Sequence, residues 1–312
     1  MTDTTADYLA LRRGVAAVRV PRDVLVVRGG DAATFVQGQV SADIDSLAVG
    51  EWSWSFLLQP QGKVDAWFRL WRRSPPDPGT PDEIVIDVDG GYGEAVAARL
   101  KRFLLRVDAR VESLDWEMIA LRGPGVGDVS HDAVAASGAE LVAVYDWAGL
   151  PAADLLGPSV AVPAGVPEGG PTAFDSVRIE SGWPAMGHEL DESTIPAEVG
   201  PWVIERSVSF TKGCFVGQEL VARIDSRGGN VPRHLRGVVL GANVLPPVGA
   251  ELVVDGEVRG TLTSVGESLD LRAPIALALV HRSVEPPAEA DVRWAGGAAP
   301  ARVVALPFEL PD

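Results

Sequence analysis

The last quarter of this chain is written in short β-rich runs, and that pattern leaves few folds open to it. Gly237–Leu240, Glu251–Val254, Gly260–Val265, Ile275–Val280, Ala290–Trp294 and Ala301–Leu306 are four to six residues long and alternate with Gly and Pro turns. Strands this short bury little surface singly, so their spacing predicts a small antiparallel barrel or sandwich. The change of character begins at Leu235 and sets a boundary near residues 232–236. It divides the chain into a region 1–234 and a barrel domain 235–312. The first region is itself open to division, with a second subdomain from about 115–165.

The first region reads as α+β rather than as repeated βαβ units. Val15 to Val27 is β-rich, and Asp31 stands where an N-cap would open a short helix with Ala32, Phe35, Val36 and Val40 on its apolar face. A hairpin follows: Trp54 to Leu58, the turn Pro60-Gln61-Gly62-Lys63, and a return strand. That strand alternates Val64, Ala66, Phe68 and Leu70 with Asp65, Trp67, Arg69 and Trp71. Ser74 to Asp82 is a Pro-rich surface loop and Glu83 to Val88 a strand. Tyr92 to Leu105 is an amphipathic helix carrying Val96, Leu100, Phe103 and Leu104 on one side. Strands are expected at Val107–Val111 and Trp116–Leu121, a softer α/β segment over 129–162, and a Pro/Gly linker from Ala161 to Pro171.

Composition narrows the function classes. Acidic residues outnumber basic ones 43 to 27, for a net charge of −16. A nucleic-acid binder needs a cationic surface to displace counterions, so no direct nucleic-acid partner is expected. One cysteine excludes an internal disulfide framework and a self-held iron–sulfur cluster, which takes about four thiolates. The acidic N-terminus has no apolar signal core, and no run reaches the roughly 18 apolar residues of a membrane span. These features predict a soluble, cytoplasmic protein with no membrane partner. There is no Walker-type or GxGxxG phosphate loop, and the four histidines at 131, 188, 234 and 281 have no metal-site spacing.

The single cysteine lies in the sharpest motif, Thr211-Lys212-Gly213-Cys214-Phe215-Val216-Gly217-Gln218-Glu219. A lone cysteine is either a small buried hydrophobe or a thiol put to use. Gly213 and Gly217 permit backbone that other residues resist. Lys212 lowers the thiol pKa if the chain turns back there, as does the N-terminus of a helix beginning near Gln218. A Cys–His pair with His188 or His234 is a further arrangement. Upstream, Arg178 and Glu180 flank an Ile and share a face if that segment is extended, which makes a surface ion pair. Glu198 follows Pro196 in a loop, either as a solvated acid or as a carboxylate aimed at paired N–H donors such as those of a 2-amino-4-oxo heterocycle.

Taken together, these stretches resemble the YgfZ family of folate-binding proteins, relatives of the glycine-cleavage T-protein. Lys212-Gly-Cys-Phe-Val-Gly-Gln-Glu219 is similar to its signature. Gly29 to Asp43 resembles the family's first helix, Pro60 to Val64 its early hairpin, Arg178 to Pro184 its central segment, and Gly260–Ser264 with Ile275–Ala278 its barrel. The resemblance implies an aminomethyltransferase-like folate-binding α+β fold closed by a C-terminal antiparallel β-barrel. It implies tetrahydrofolate or a one-carbon derivative as ligand, and iron–sulfur client or assembly proteins as partners, with tRNA modification an indirect consequence. It makes Cys214 the functional cysteine, with Lys212, Gly213, Gly217, Gln218 and Glu219 as its setting. Glu198, Arg223 and Phe174 take folate-facing positions. The T-protein relatives carry a catalytic Asp after the strand at 83–88, where this register sets Glu94, with Asp87 and Asp89 nearby. Glutamate is one methylene longer, and a displacement of about 1 Å costs around a hundredfold in rate.

Three functions follow from that resemblance. The first is a folate-binding accessory protein in iron–sulfur metabolism acting through Cys214. The second is a folate-dependent aminomethyltransferase or demethylase, and the third a folate store without chemistry.

Overall fold

A computed structural model describes residues 4–75 and 79–311. Residues 76–78, in the middle of the expected Pro-rich loop, lie outside the described residues. In chain order the first half holds α1 (Thr4–Arg13), β1 (Ala16–Arg19), β2 (Arg22–Arg28), α2 (Ala32–Gln39), β3 (Trp52–Leu58), β4 (Val64–Arg73), β5 (Glu83–Asp89), α3 (Gly93–Lys101), β6 (Arg110–Leu114) and β7 (Glu117–Arg122). The second half holds α4 (His131–Ala136), β8 (Leu141–Trp147), β9 (Leu150–Gly157), α5 (Pro171–Glu180), α6 (Pro201–Ser207) and α7 (Gln218–Ser226). It ends with β10 (Arg233–Leu240), β11 (Glu251–Val254), β12 (Glu257–Ser268), β13 (Ala273–His281), β14 (Ala288–Trp294) and β15 (Gly297–Val304). Two compact units emerge, one of residues 1–20, 118–189 and 232–312, the other of residues 21–117 and 190–231.

In the first unit, the short runs of the C-terminal quarter close into a six-stranded antiparallel barrel, β10-β13-β12-β11-β14-β15. Val238, Leu252, Leu262, Ala276, Ala278, Val280, Val292 and Val303 fill its interior. Closure removes the unpaired edges that strands of four to twelve residues would otherwise expose. The same unit holds a four-stranded sheet of order β1-β7-β9-β8 and the helices α1 and α5.

The sequence Arg178-Ile179-Glu180 belongs to α5, which corrects the extended reading. Helical geometry turns these two charges to different partners in the core. Arg178 donates to Asp175, to Glu189 Oε2 at 3.0 Å and to Ser264 Oγ at 2.7 Å, tying α5 to β12. Glu180 accepts from Tyr8 Oη at 2.5 Å. Burial pushes its carboxyl above the usual carboxylate range. Neither residue is on the surface.

The second unit is built on an antiparallel sheet of order β3-β4-β5-β2-β6, against which α2, α3 and α6 pack. Both faces of β4 are buried: Trp67, Arg69 and Trp71 are as enclosed as Ala66, Phe68 and Leu70. The charge of Arg69 is carried inward by pairing. Its guanidinium meets Asp87 at 2.8 and 3.0 Å and lies over the rings of Trp54 and Trp71. Arg22 Nε and Trp71 Nε1 also donate to Asp87.

Two local expectations are corrected. Asp31 opens α2 but its side chain does not cap it; Oδ2 accepts from Asp108 N instead, pinning the loop before β6. α3 ends at Lys101 rather than Leu105. Arg106 then takes φ 60°, which turns the chain toward β6 and leaves Phe103 and Leu105 exposed.

Candidate functional site

Residues 209–217 form the loop between α6 and α7 in the second unit. Gly217 starts α7 from the left-handed region, φ 82°. A Cβ there would lie 2.6 Å from Gln59 O, and a Cβ at Gly62 (φ 80°) would lie 2.5 Å from Leu220 Cβ. Two glycines far apart in sequence thus let the hairpin turn seat directly on the first turn of α7. The loop is braced at both ends. Ser209 Oγ accepts from Lys212 N at 3.2 Å, and Gln218 Oε1 accepts from Phe215 N at 3.1 Å.

Cys214 is exposed at the tip. With Phe210, Lys212, Phe215, Gln218 and Glu219 it lines a cleft of about 430 Å³, so the motif residues converge on one surface feature. The thiol is not a core hydrophobe. Lys212, although two residues away, does not serve it by hydrogen bonding. Its Nζ donates to Gln37 O at 2.7 Å, Val40 O at 2.8 Å and Ala42 O at 2.6 Å. An ammonium has three N–H donors, and all three are taken.

Burial pushes the Lys212 pKa down to about 8, against the opposing pull of Asp43 and Asp45. The folded form therefore gives up its proton before the unfolded chain does. Between pH 8 and the ordinary value of 10.5 the unfolded state binds more protons, so this residue makes stability rise with pH. Thermal unfolding of wild type and Lys212→Met across that window should show a less positive slope in the variant. Parallel slopes would rule the linkage out.

Glu198 sits on a short 3₁₀ turn, Pro196–Val199, which packs on α6 and α7. It is 1% exposed, and its Oε2 accepts from Ile195 N at 2.9 Å, so the solvated-acid reading is corrected. The short turn folds the side chain back over its own N-terminus, where the free N–H favours an acceptor. Arg223 lies on α7 and is exposed, as is Glu94 on the first turn of α3. Asp87 and Asp89 pair with the arginines of the sheet. Phe174 belongs to the first unit, on α5, against Trp147 with ring centroids 5.1 Å apart and the Arg122 guanidinium 5.3 Å from its ring.

One acid passed over in the sequence stands beside the Gly62–Gly217 contact. Asp65 pairs with Arg99 Nε at 3.2 Å, and Arg99 reaches the carbonyl of Leu58, whose side chain abuts Gly217. Its signal was positional: the second residue of the strand that returns from the turn. The three carbonyls that hold Lys212 carry no side-chain signal at all. His188 Nδ1 bonds Thr263 O, and among the described residues no group of three or more His, Cys, Asp or Glu is placed to hold a metal.

Residues 233–308 match the family model of the glycine cleavage T-protein C-terminal barrel domain. An aminomethyltransferase of Thermus thermophilus is 30% identical over 335 residues, covering 98% of this chain and 90% of that protein. An uncharacterized protein of Haemophilus influenzae is 25% identical, covering 66% of this chain and 67% of its own length. The crystal structure of the glycine cleavage system aminomethyltransferase T from Bartonella henselae superposes with a TM-score of 0.78 at 20% identity. That superposition covers 98% of this chain and 89% of the other.

Proposed function

The chain belongs to the aminomethyltransferase family of the glycine cleavage T-protein, and from that membership we propose that it is a reduced-folate-binding accessory protein of the YgfZ type, acting on iron–sulfur clients through Cys214. The observation that carries the reading is the build of residues 209–217. The chain's single thiol is exposed at a cleft while every polar neighbour that braces the loop is directed elsewhere. A thiol presented in this way suits a partner that brings the other ligands. On deprotonation to solvent, the Cys214 thiolate supplies one sulfur–iron bond to a client's cluster, and the partner supplies the rest.

The residues present suit a folate by the chemistry of their donors. Glu198 is a carboxylate kept in the interior by a backbone N–H, and a carboxylate is the acceptor that the paired N–H groups of a pterin require. Arg223, on α7 of the same unit, is the cation proposed for the folate's acidic tail. A bound reduced folate supplies a nitrogen that carries a one-carbon unit. The proposal places folate binding in residues 1–234 and treats 235–312 as a separate barrel domain.

A second reading, aminomethyl transfer, is favoured by the activity named for the relatives. It requires turnover with an amine donor and gives Cys214 no task.

The test combines calorimetry with complementation. Tetrahydrofolate should bind with micromolar-range affinity, on the order of −8 kcal/mol, and Glu198→Ala should weaken it by roughly tenfold or more, the value of a charged hydrogen bond. In cells lacking the protein, Cys214→Ser should bind folate as wild type does yet restore no iron–sulfur enzyme activity. No heat with any reduced folate would sink folate binding. Full rescue by Cys214→Ser would sink the thiol.

A further inference from the structure

The clasp under the cysteine loop gives Lys212 a role of its own. α2 ends at Gln39, where a helix leaves backbone carbonyls without partners and carries partial negative charge. Gln37 O and Val40 O lie at that end, and Ala42 O follows. The segment between them is itself fixed. Gln37 bonds Asp43 Oδ1 and Ile44 N through its amide, Val40 pairs with Leu57, and Ser41 Oγ donates to Ser207 O at 2.6 Å. Lys212 therefore grips a rigid frame rather than a mobile one. The charged groups that face its ammonium are Asp43 and Asp45, and the ring of Phe215 lies 5.4 Å away.

We propose that Lys212 is the positioning residue of the cysteine loop: its ammonium clasps the carbonyl oxygens of Gln37, Val40 and Ala42 and so holds Cys214 out on a fixed frame, instead of activating the thiol. This rests on the reading that Cys214 is the functional group. It separates two duties that the short spacing Lys212-Gly213-Cys214 had merged. A lysine that activates a thiol stabilises the thiolate, so its loss raises the pH at which the thiol reacts. A lysine that positions a loop leaves that pH where it was and loosens the backbone instead. Gly213, between clasp and thiol, stands in open space: a Cβ built there meets nothing within 4 Å. The reach of Cys214 is then set by where Lys212 is fastened.

Because Cys214 is the only cysteine, alkylation reports on it alone. The experiment compares full-length wild type and Lys212→Met without ligand, by hydrogen exchange of residues 209–217 and by the pH profile of iodoacetamide alkylation. The clasp predicts that amides in 209–217 exchange roughly tenfold faster or more in the variant, as for a loop released from its anchor. The midpoint of the alkylation profile should stay unchanged. A midpoint raised by one pH unit with unchanged exchange would assign Lys212 to thiol activation and overturn the proposal.

Should Lys212→Met fail to fold, wild type carries the test by itself. With lysines only at 63, 101 and 212, a ¹⁵Nζ-lysine label gives three signals. Hydrogen bonds to three carbonyls should protect the Lys212 ammonium protons from exchange with water, and exchange as fast as in free lysine would mean that the ammonium is not clasped. Neither readout uses folate. Failure of wild type to bind any reduced folate would therefore defeat the folate reading while leaving the clasp standing.

Discussion

Replacing Asp87 with alanine is expected to cost about 3–5 kcal/mol of stability, the usual effect of removing one partner from a buried ion pair. Asp87 is fully buried and accepts from Arg22 Nε, from Arg69 at 2.8 and 3.0 Å, and from Trp71 Nε1 at 2.8 Å. Arg69 is 1% exposed, so its guanidinium has no route to water once the carboxylate is gone. The cation–π contacts with Trp54 and Trp71 replace only a small part, about 0.5–2 kcal/mol each. Urea unfolding is the measurement, and a loss below about 1 kcal/mol would contradict the account. The result also bears on function. An acid that holds the sheet together is not available as a proton-transfer group, which removes Asp87 from the candidates for the second reading.

Gly217→Ala should damage both the fold and the site without touching the thiol. The left-handed backbone costs an L-residue about 1–2 kcal/mol. The added Cβ would also lie 2.6 Å from Gln59 O and 2.7 Å from Leu58 Cβ, inside any real contact distance. Neither neighbour is the far end of a flexible chain, so the hairpin turn or the first turn of α7 must move. We expect a total loss of roughly 2–4 kcal/mol, within the range of strain at a special φ combined with overpacking. Loss of rescue in cells should match that of Cys214→Ser. A Gly217→Ala protein with wild-type melting and full rescue would show that the turn and α7 are not coupled as described.

These two positions show what could be read from the residues. Gly217 stood out in the sequence, because a glycine before a helix-forming stretch marks a special backbone. Its partner Gly62 was legible as a turn residue, but the contact between them was not. Arg69 and Asp87 were each visible on a strand, yet nothing in a period of two said that both faces would be covered. The alternation set Trp67, Arg69 and Trp71 on the face opposite Ala66, Phe68 and Leu70 and no more. Helices α2, α3 and α6 pack against the sheet that carries it, and only their arrangement made Arg69 an interior charge in need of a partner. Arg178 and Glu180 failed for a related reason. Their shared face depended on an extended backbone, and as members of α5 they turn to different partners.

By itself the sequence determined a set of short antiparallel strands in the C-terminal quarter, open to a barrel or a sandwich, the hairpin at 54–71, the helix beginning at Gln218 and the motif around the single cysteine. Each of these is encoded by local spacing of apolar, Gly and Pro residues, which acts over a few positions and leaves a pattern that can be read directly. Only the tertiary structure decided where the charged side chains spend their hydrogen bonds. Lys212 ends on three backbone carbonyls, Glu198 on a backbone N–H, and Asp87 on two arginines and an indole. Backbone acceptors are present at every residue and carry no sequence signature. Which of them a buried ammonium finds is fixed by chain path alone, and that path is what leaves Cys214 exposed at its cleft.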